Sequence, residues 1–279
     1  MSNNVFQATN IRYAFDEANL ALDGVSLSIA AGEKLAILGP NGSGKSTFLA
    51  MLDGLVFPHS GELLAFDQPL TEAAFQDEQF AVSFRKRVGL VFQEPDTQLF
   101  SSTVWDEIAF GPAQLALAAS QVKERVEFVL DLMRLTHLKE RSPYRLSSGE
   151  KKRVAIAAVL AIEPEVLLLD EPTAGLDPRS QYELVEFLLS WHEFGKTIVM
   201  STHDLDILQE IAQRVIVLDE KHTLAAEGTP AEILNNQDLL RRTNLIHQHP
   251  HHHGAAATHV HPHTPLEHHQ HTHNGGGNP

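Results

Sequence analysis

The chain of 279 residues contains no cysteine. Disulfides, thiolate metal sites and cysteine nucleophiles are therefore excluded, which suits a reducing compartment. Cations are scarce as well: 21 Lys and Arg stand against 36 Asp and Glu, a net charge of −15. A surface of that sign repels phosphate polymers, so no nucleic-acid partner is expected. No apolar run reaches the roughly 18–20 residues of a spanning helix. The longest candidate, Val154 to Ile162, reads as a buried helix. The opening Met1-Ser-Asn-Asn lacks the basic and apolar pattern of a secretion signal. The expectation is a protein that reaches a membrane only through a partner. Core material is ample, since 43% of the residues are apolar.

The most informative stretch follows the apolar run Leu35 to Leu38. It reads Gly39, Pro40, Asn41, Gly42, Ser43, Gly44, Lys45, Ser46, Thr47, and the apolar Phe48 to Leu52 comes next. This is strand, glycine-rich turn, helix, with Gly39, Gly44, Lys45 and Ser46 at phosphate-loop spacing. Glycines let successive N–H groups turn inward around an anion, and the helix adds its positive N-terminal end. Lys45 is placed to reach the β- and γ-phosphates, and the Ser46 hydroxyl to ligate Mg²⁺. A nucleoside-triphosphate site is expected.

Two segments, Val5 to Phe15 and Leu22 to Ile29, alternate apolar and polar residues around a turn-prone Asp16 to Asn19. They predict antiparallel strands, which Glu62 to Phe66 rejoins. Four short apolar strands follow at wide spacing: Val88 to Phe92, Val166 to Asp170, Thr197 to Met200 and Val215 to Leu218. Unbroken apolar strands alternating with helices predict a buried parallel sheet. Between Pro95 and Ala161 the strands disappear, and Gln121 to Leu135 and Ser148 to Ile162 predict helices of an insertion. Arg179 to Phe194 predicts another helix, with Leu184, Val185, Leu188 and Leu189 inward and Gly195 as its stop. Thr71 to Phe84 carries no clear pattern and is open between helix and loop. Thr229-Pro230-Ala231-Glu232 predicts a capping box opening a short helix.

Further chemistry gathers around this frame. The strand Val166 to Asp170 ends in two carboxylates, Asp170 and Glu171. Asp170 is suited to orient Mg²⁺, and Glu171 to hold or deprotonate the attacking water. Leu146-Ser147-Ser148-Gly149-Glu150 opens a helix with hydroxyls and free N–H groups. Alone, that stretch is a plain helix cap. Its meaning comes from company.

Together with Gln93 after a strand, Ala174-Gly-Leu-Asp177, and His203 after Met200-Ser-Thr, these motifs resemble the ATPase subunits of ABC transporters across residues 5 to 235. The resemblance implies a P-loop α/β nucleotide-binding domain over residues 1–243: a parallel core sheet, an antiparallel β subdomain, and a helical subdomain at about 95–162. It implies ATP and Mg²⁺ as ligands and ATP hydrolysis as the activity. Phe15 takes the place of the aromatic that stacks on adenine, with Tyr13 the alternate. Gln93 corresponds to the residue sensing Mg²⁺ and attacking water, Asp177 to the one coupling two opposed sites, and His203 to the γ-phosphate switch. Ser147, Ser148, Gly149 and Glu150 stand for the family's Leu-Ser-Gly-Gly-Gln signature, departing from it at Ser148 and Glu150. Two ATPase copies, identical or paralogous, should pair head to tail.

Val91 to Phe100 and Thr103 to Pro112 are similar to energy-coupling-factor ATPases, most of all the cobalt/nickel type. That branch implies transmembrane coupling and substrate-binding subunits and a place at the cytoplasmic face of the membrane. An importer of another micronutrient, such as a vitamin, remains open at this stage, as does a soluble ABC ATPase acting on DNA or ribosomes. From residue 244 the composition shifts to a tail too poor in apolar groups to fold, and residues 244–279 are expected to be disordered. Twelve of the 17 histidines lie there: His247, His249, His251, His252, His253, His259, His261, His263, His268, His269, His271 and His273. Neutral imidazoles on a flexible chain are candidate ligands for Ni²⁺, Co²⁺ or Zn²⁺.

Overall fold

Alternation in the first thirty residues builds an antiparallel sheet. Strands β1 (Asn4–Ala14) and β2 (Leu20–Ala30) pair antiparallel, and the Asp16 carboxylate closes their turn by accepting from the N–H groups of Ala18 and Asn19. Strand β3 (Lys34–Leu38) then leads into α1 (Lys45–Leu52), after which β4 (Ser60–Ala65) returns to β1 and β5 (Gln68–Pro69) pairs with β4. The computed structural model describes residues 3–246, together with the backbone of 248–253 and 257–262.

The rest of the chain alternates helix and strand: α2 (Glu78–Arg87), β6 (Val88–Val91), α3 (Val104–Gln114), α4 (Ala119–Leu132), α5 (Ser148–Leu160) and β7 (Val166–Asp170). There follow α6 (Pro178–Glu193), β8 (Thr197–Thr202), α7 (Leu208–Ile211), β9 (Arg214–Leu218), β10 (Leu224–Gly228), α8 (Pro230–Asn235) and α9 (Gln237–Arg242). The second sheet has the order β10-β9-β3-β8-β7-β6, parallel except for β10.

Both faces of that sheet are covered, as its unbroken apolar strands require. The period of two divides each strand between layers. Val166 and Leu168 of β7 face the antiparallel sheet and α1, with Leu35, Ile37, Phe48 and Val25. Leu167 and Leu169 face the helical insertion and α6, with Val154, Ile156, Leu184 and Leu188. A third cluster packs α8 and α9 against β9 through Val215, Val217, Ile233 and Leu240.

Several expectations shift at their edges. The open stretch 71–84 becomes a 3₁₀ turn at Ala74–Gln76 and then α2, which Asp77 caps by accepting from Gln79 and Phe80. Only Ala81 and Phe84 of α2 are buried, too few to print a helical period. The predicted helix 121–135 spans 119–132, and 148–162 ends at Leu160. In α6 Leu189 is only partly buried, and Trp191 takes the inward place. Strand β10 is a surprise, since Leu224-Ala-Ala-Glu-Gly228 has little apolar character; it sits at the sheet's edge and needs none. Where composition predicts an unfolded tail, 248–253 and 257–262 pair as an antiparallel ribbon, a unit that is marginal by itself in water. The other tail residues, and every tail histidine side chain, lie outside the described residues.

Candidate functional site

Lys45 is the first residue of α1, and the turn before it is tightly seated. Gly44 has φ 104°, and a Cβ there would collide with the carbonyl oxygen of Ala21 on β2. Only glycine suits both demands. The Lys45 side chain is 6% exposed, and its ammonium donates to the carbonyls of Gly39 at 2.8 Å and Pro40 at 3.2 Å. The Ser43 hydroxyl is buried without a protein partner. A cavity of about 460 Å³ opens beside this turn, lined by Gly42, Gly44, Lys45, Ser46, Thr47 and Phe15 among others. The helix N-terminus, the lysine and the orphaned hydroxyl fit a bound phosphate chain. Ser46, on the exposed side of the turn, is free to meet a cation there.

The carboxylates come from β7, two strands away. Asp170 and Glu171 are both buried, and Glu171 has φ 44°. One Glu171 oxygen lies 3.5 Å from the Lys45 ammonium, and the other 2.7 Å from His203 Nδ1. Ser201 on β8, a residue the sequence analysis gave no part, joins the pair. Its hydroxyl donates to Asp170 Oδ1 at 2.5 Å and accepts from the Glu171 N–H at 2.9 Å. The register sets Ser201 directly beside Asp170, so only the strand pairing reveals it.

Of the two proposed aromatics, Phe15 lines the cavity and is 65% exposed. Tyr13 packs edge-on to Phe15, with ring centroids 5.3 Å apart, and against His59 at 5.0 Å. His222, in the turn before β10, also lines the cavity and was not foreseen.

None of the remaining candidates lines that cavity. Gln93 is exposed just beyond β6. Ser147 and Glu150 form a capping box on α5: the Glu150 carboxylate accepts from the Ser147 N–H and hydroxyl, both at 2.8 Å, which holds its pKa below the usual range. Asp177 caps α6, accepting from the Arg179 and Ser180 N–H groups and the Ser180 hydroxyl, and its pKa is lowered by those bonds. Ser147, Ser148 and Asp177 are exposed. Gly149 lines a different cavity, of about 610 Å³, beside Leu176 and Ser180. Among the described residues no cluster of His, Asp and Glu could hold a metal by itself, and no helix is long and apolar enough to cross a membrane.

The family model for ABC transporters matches residues 22–174, from β2 to just past Glu171. This chain belongs to the ABC transporter family. Its members bind ATP and Mg²⁺, hydrolyse ATP, and act as dimers with transmembrane partners. A putative ABC transporter ATP-binding protein of Methanosarcina acetivorans is 49% identical, over 90% of this chain and 92% of its own length. The nickel import ATP-binding protein NikO of Rhodobacter capsulatus is 48% identical, over 86% of this chain and 95% of its own. Among solved structures, cbiO1 of Clostridium perfringens, part of the ABC transporter complex cbiONQ, superposes with a TM-score of 0.74 at 36% identity. That match covers 88% of this chain and 96% of that one. As an ABC ATPase, this chain has its expected fold.

Proposed function

We propose that this chain powers uptake of nickel or cobalt ions as the ATPase of an energy-coupling-factor importer. The observation that carries the catalytic part is the meeting of Lys45 and His203 within 3.5 Å of the Glu171 carboxylate. ATP would lie with its phosphates on the Gly39–Thr47 turn and its base toward Phe15. Ser46, Asp170 and Gln93 would hold Mg²⁺, whose charge offsets that of the phosphates. Glu171, freed from Lys45 once a phosphate takes that ammonium, would accept a proton from the attacking water. His203 would then turn toward the γ-phosphate. Most of the acceleration is positioning and charge stabilisation, which suits a site of N–H donors and cations.

Ser147 and Gly149 lie outside the cavity that Lys45 lines. A second copy, placed head to tail, would bring those groups to the phosphates, with Asp177 at the seam between the two sites. The cargo reading rests on the similarity to NikO and cbiO1 and on the chemistry of the tail imidazoles. The chain would sit at the cytoplasmic face, held by transmembrane coupling and substrate-binding subunits. Cellular accumulation of Ni²⁺ and Co²⁺, with and without the gene, tests the cargo. A fall in either on deletion is expected, whereas unchanged accumulation of both with loss of a vitamin would overturn the metal reading.

A further inference from the structure

Lys152 is a buried cation held by main-chain carbonyls. It lies on α5, 2% exposed, and its ammonium donates to the main-chain carbonyls of Gln93 at 2.6 Å and Phe92 at 3.4 Å. Burial pushes its pKa down, while the charges of Asp170, Glu94 and Glu171 push it back up. Two neighbours reinforce the same link. Gln98 accepts from the Phe92 N–H and donates to the Ala155 carbonyl of α5, and Lys151 pairs with Asp96 at 2.6 Å. The loop 92–98 is thus fastened to α5 at three places.

We propose that Lys152 is a positioning residue that ties Gln93 to the helix carrying Ser147 and Gly149. The ends of this link serve different nucleotides. Lys152 lies three residues, about 4.5 Å along the helix axis, from Gly149. On the two-chain reading above, on which this inference rests, Gly149 meets the nucleotide of the partner, whereas Gln93 belongs to the chain's own site. A displacement of α5 by the partner's ATP therefore moves the Gln93 backbone with it. The bond is to a carbonyl, so it holds the loop while leaving the Gln93 amide free to reach Mg²⁺ or water. Charged donors in a dry setting make strong, directional bonds, and such a bond transmits small displacements.

The test uses the full chain. Steady-state ATP hydrolysis is compared for Lys152→Met, which keeps the buried stem, and for Lys152→Arg and Lys152→Gln, which keep a donor. Lys152→Met should lower kcat about tenfold to a hundredfold while KM for ATP moves less than about threefold. At least one donor-keeping variant should recover most of the loss. Light scattering should show that Glu171→Gln and the double variant Glu171→Gln/Lys152→Met both dimerise with ATP. A KM that rises in step with the loss, an unchanged kcat, or no recovery by either donor-keeping variant would show that Lys152 only fills space. If Glu171→Gln itself fails to dimerise, the two-chain reading falls first, and the inference falls with it.

Discussion

His203 and Glu171 make a short contact, 2.7 Å from Nδ1 to Oε2, yet their surroundings are opposite. The imidazole is 59% exposed and the carboxylate only 6%. The ring can swing toward a ligand, whereas Glu171 is held by its strand, by Ser201 and by Lys45. Replacing Glu171 with Gln keeps the shape and removes the proton acceptor. Hydrolysis should fall by about a hundredfold or more while ATP binding survives. Equilibrium binding of a fluorescent ATP analogue, beside phosphate release, checks this.

Ser201→Ala should be felt in both turnover and stability. It leaves Asp170 and the Glu171 N–H without their shared partner in a buried place. Stranding such groups costs about 1–3 kcal/mol. Lower kcat at nearly constant KM, together with a reduced melting temperature, is the expected pair of results.

Stability should also carry a pH signature from Asp53, at the C-terminal end of α1. Burial pushes its carboxyl up to about 7 from 3.8, with Arg85 opposing the rise. The folded chain then binds more protons than the unfolded chain between those values, so stability falls as pH rises through that window. Asp53→Asn lacks this slope. Its melting temperature relative to the parent should climb between about pH 4 and pH 7 and level off above. A parallel pair of curves would assign Asp53 an ordinary carboxyl.

Deleting residues 247–279 removes all twelve tail histidines. ATP hydrolysis should be retained, while Ni²⁺ bound at equilibrium dialysis should drop by one or more equivalents per chain. Unchanged Ni²⁺ binding would assign metal capture elsewhere.

Much of the site was legible because each part is a local pattern. The phosphate turn needs its glycines and lysine in one run, and Asp170-Glu171 announces itself at the end of an apolar strand. Ser201 and Lys152 were not legible, for a common reason. Each acts on a group distant in sequence, Ser201 across a strand pair and Lys152 across 59 residues to Gln93. Nothing in Met200-Ser-Thr or Lys151-Lys-Arg distinguishes them before the fold is known. The fold followed the same division. Buried strands were plain, while α2 and β10 were obscure because they bury too little to pattern the chain.

The order of strands has a consequence for synthesis. In the sheet, β8 lies between β3 and β7, although it is made after both. A nascent chain ending before Thr197 already carries Lys45 and Glu171, yet lacks the strand that bridges them. A chain ending there would hold Lys45 and Glu171 beyond the ends of two strands, β3 and β7, with no hydrogen-bonded neighbour between them. Closing the centre therefore depends on β8 being inserted between two strands that precede it in sequence.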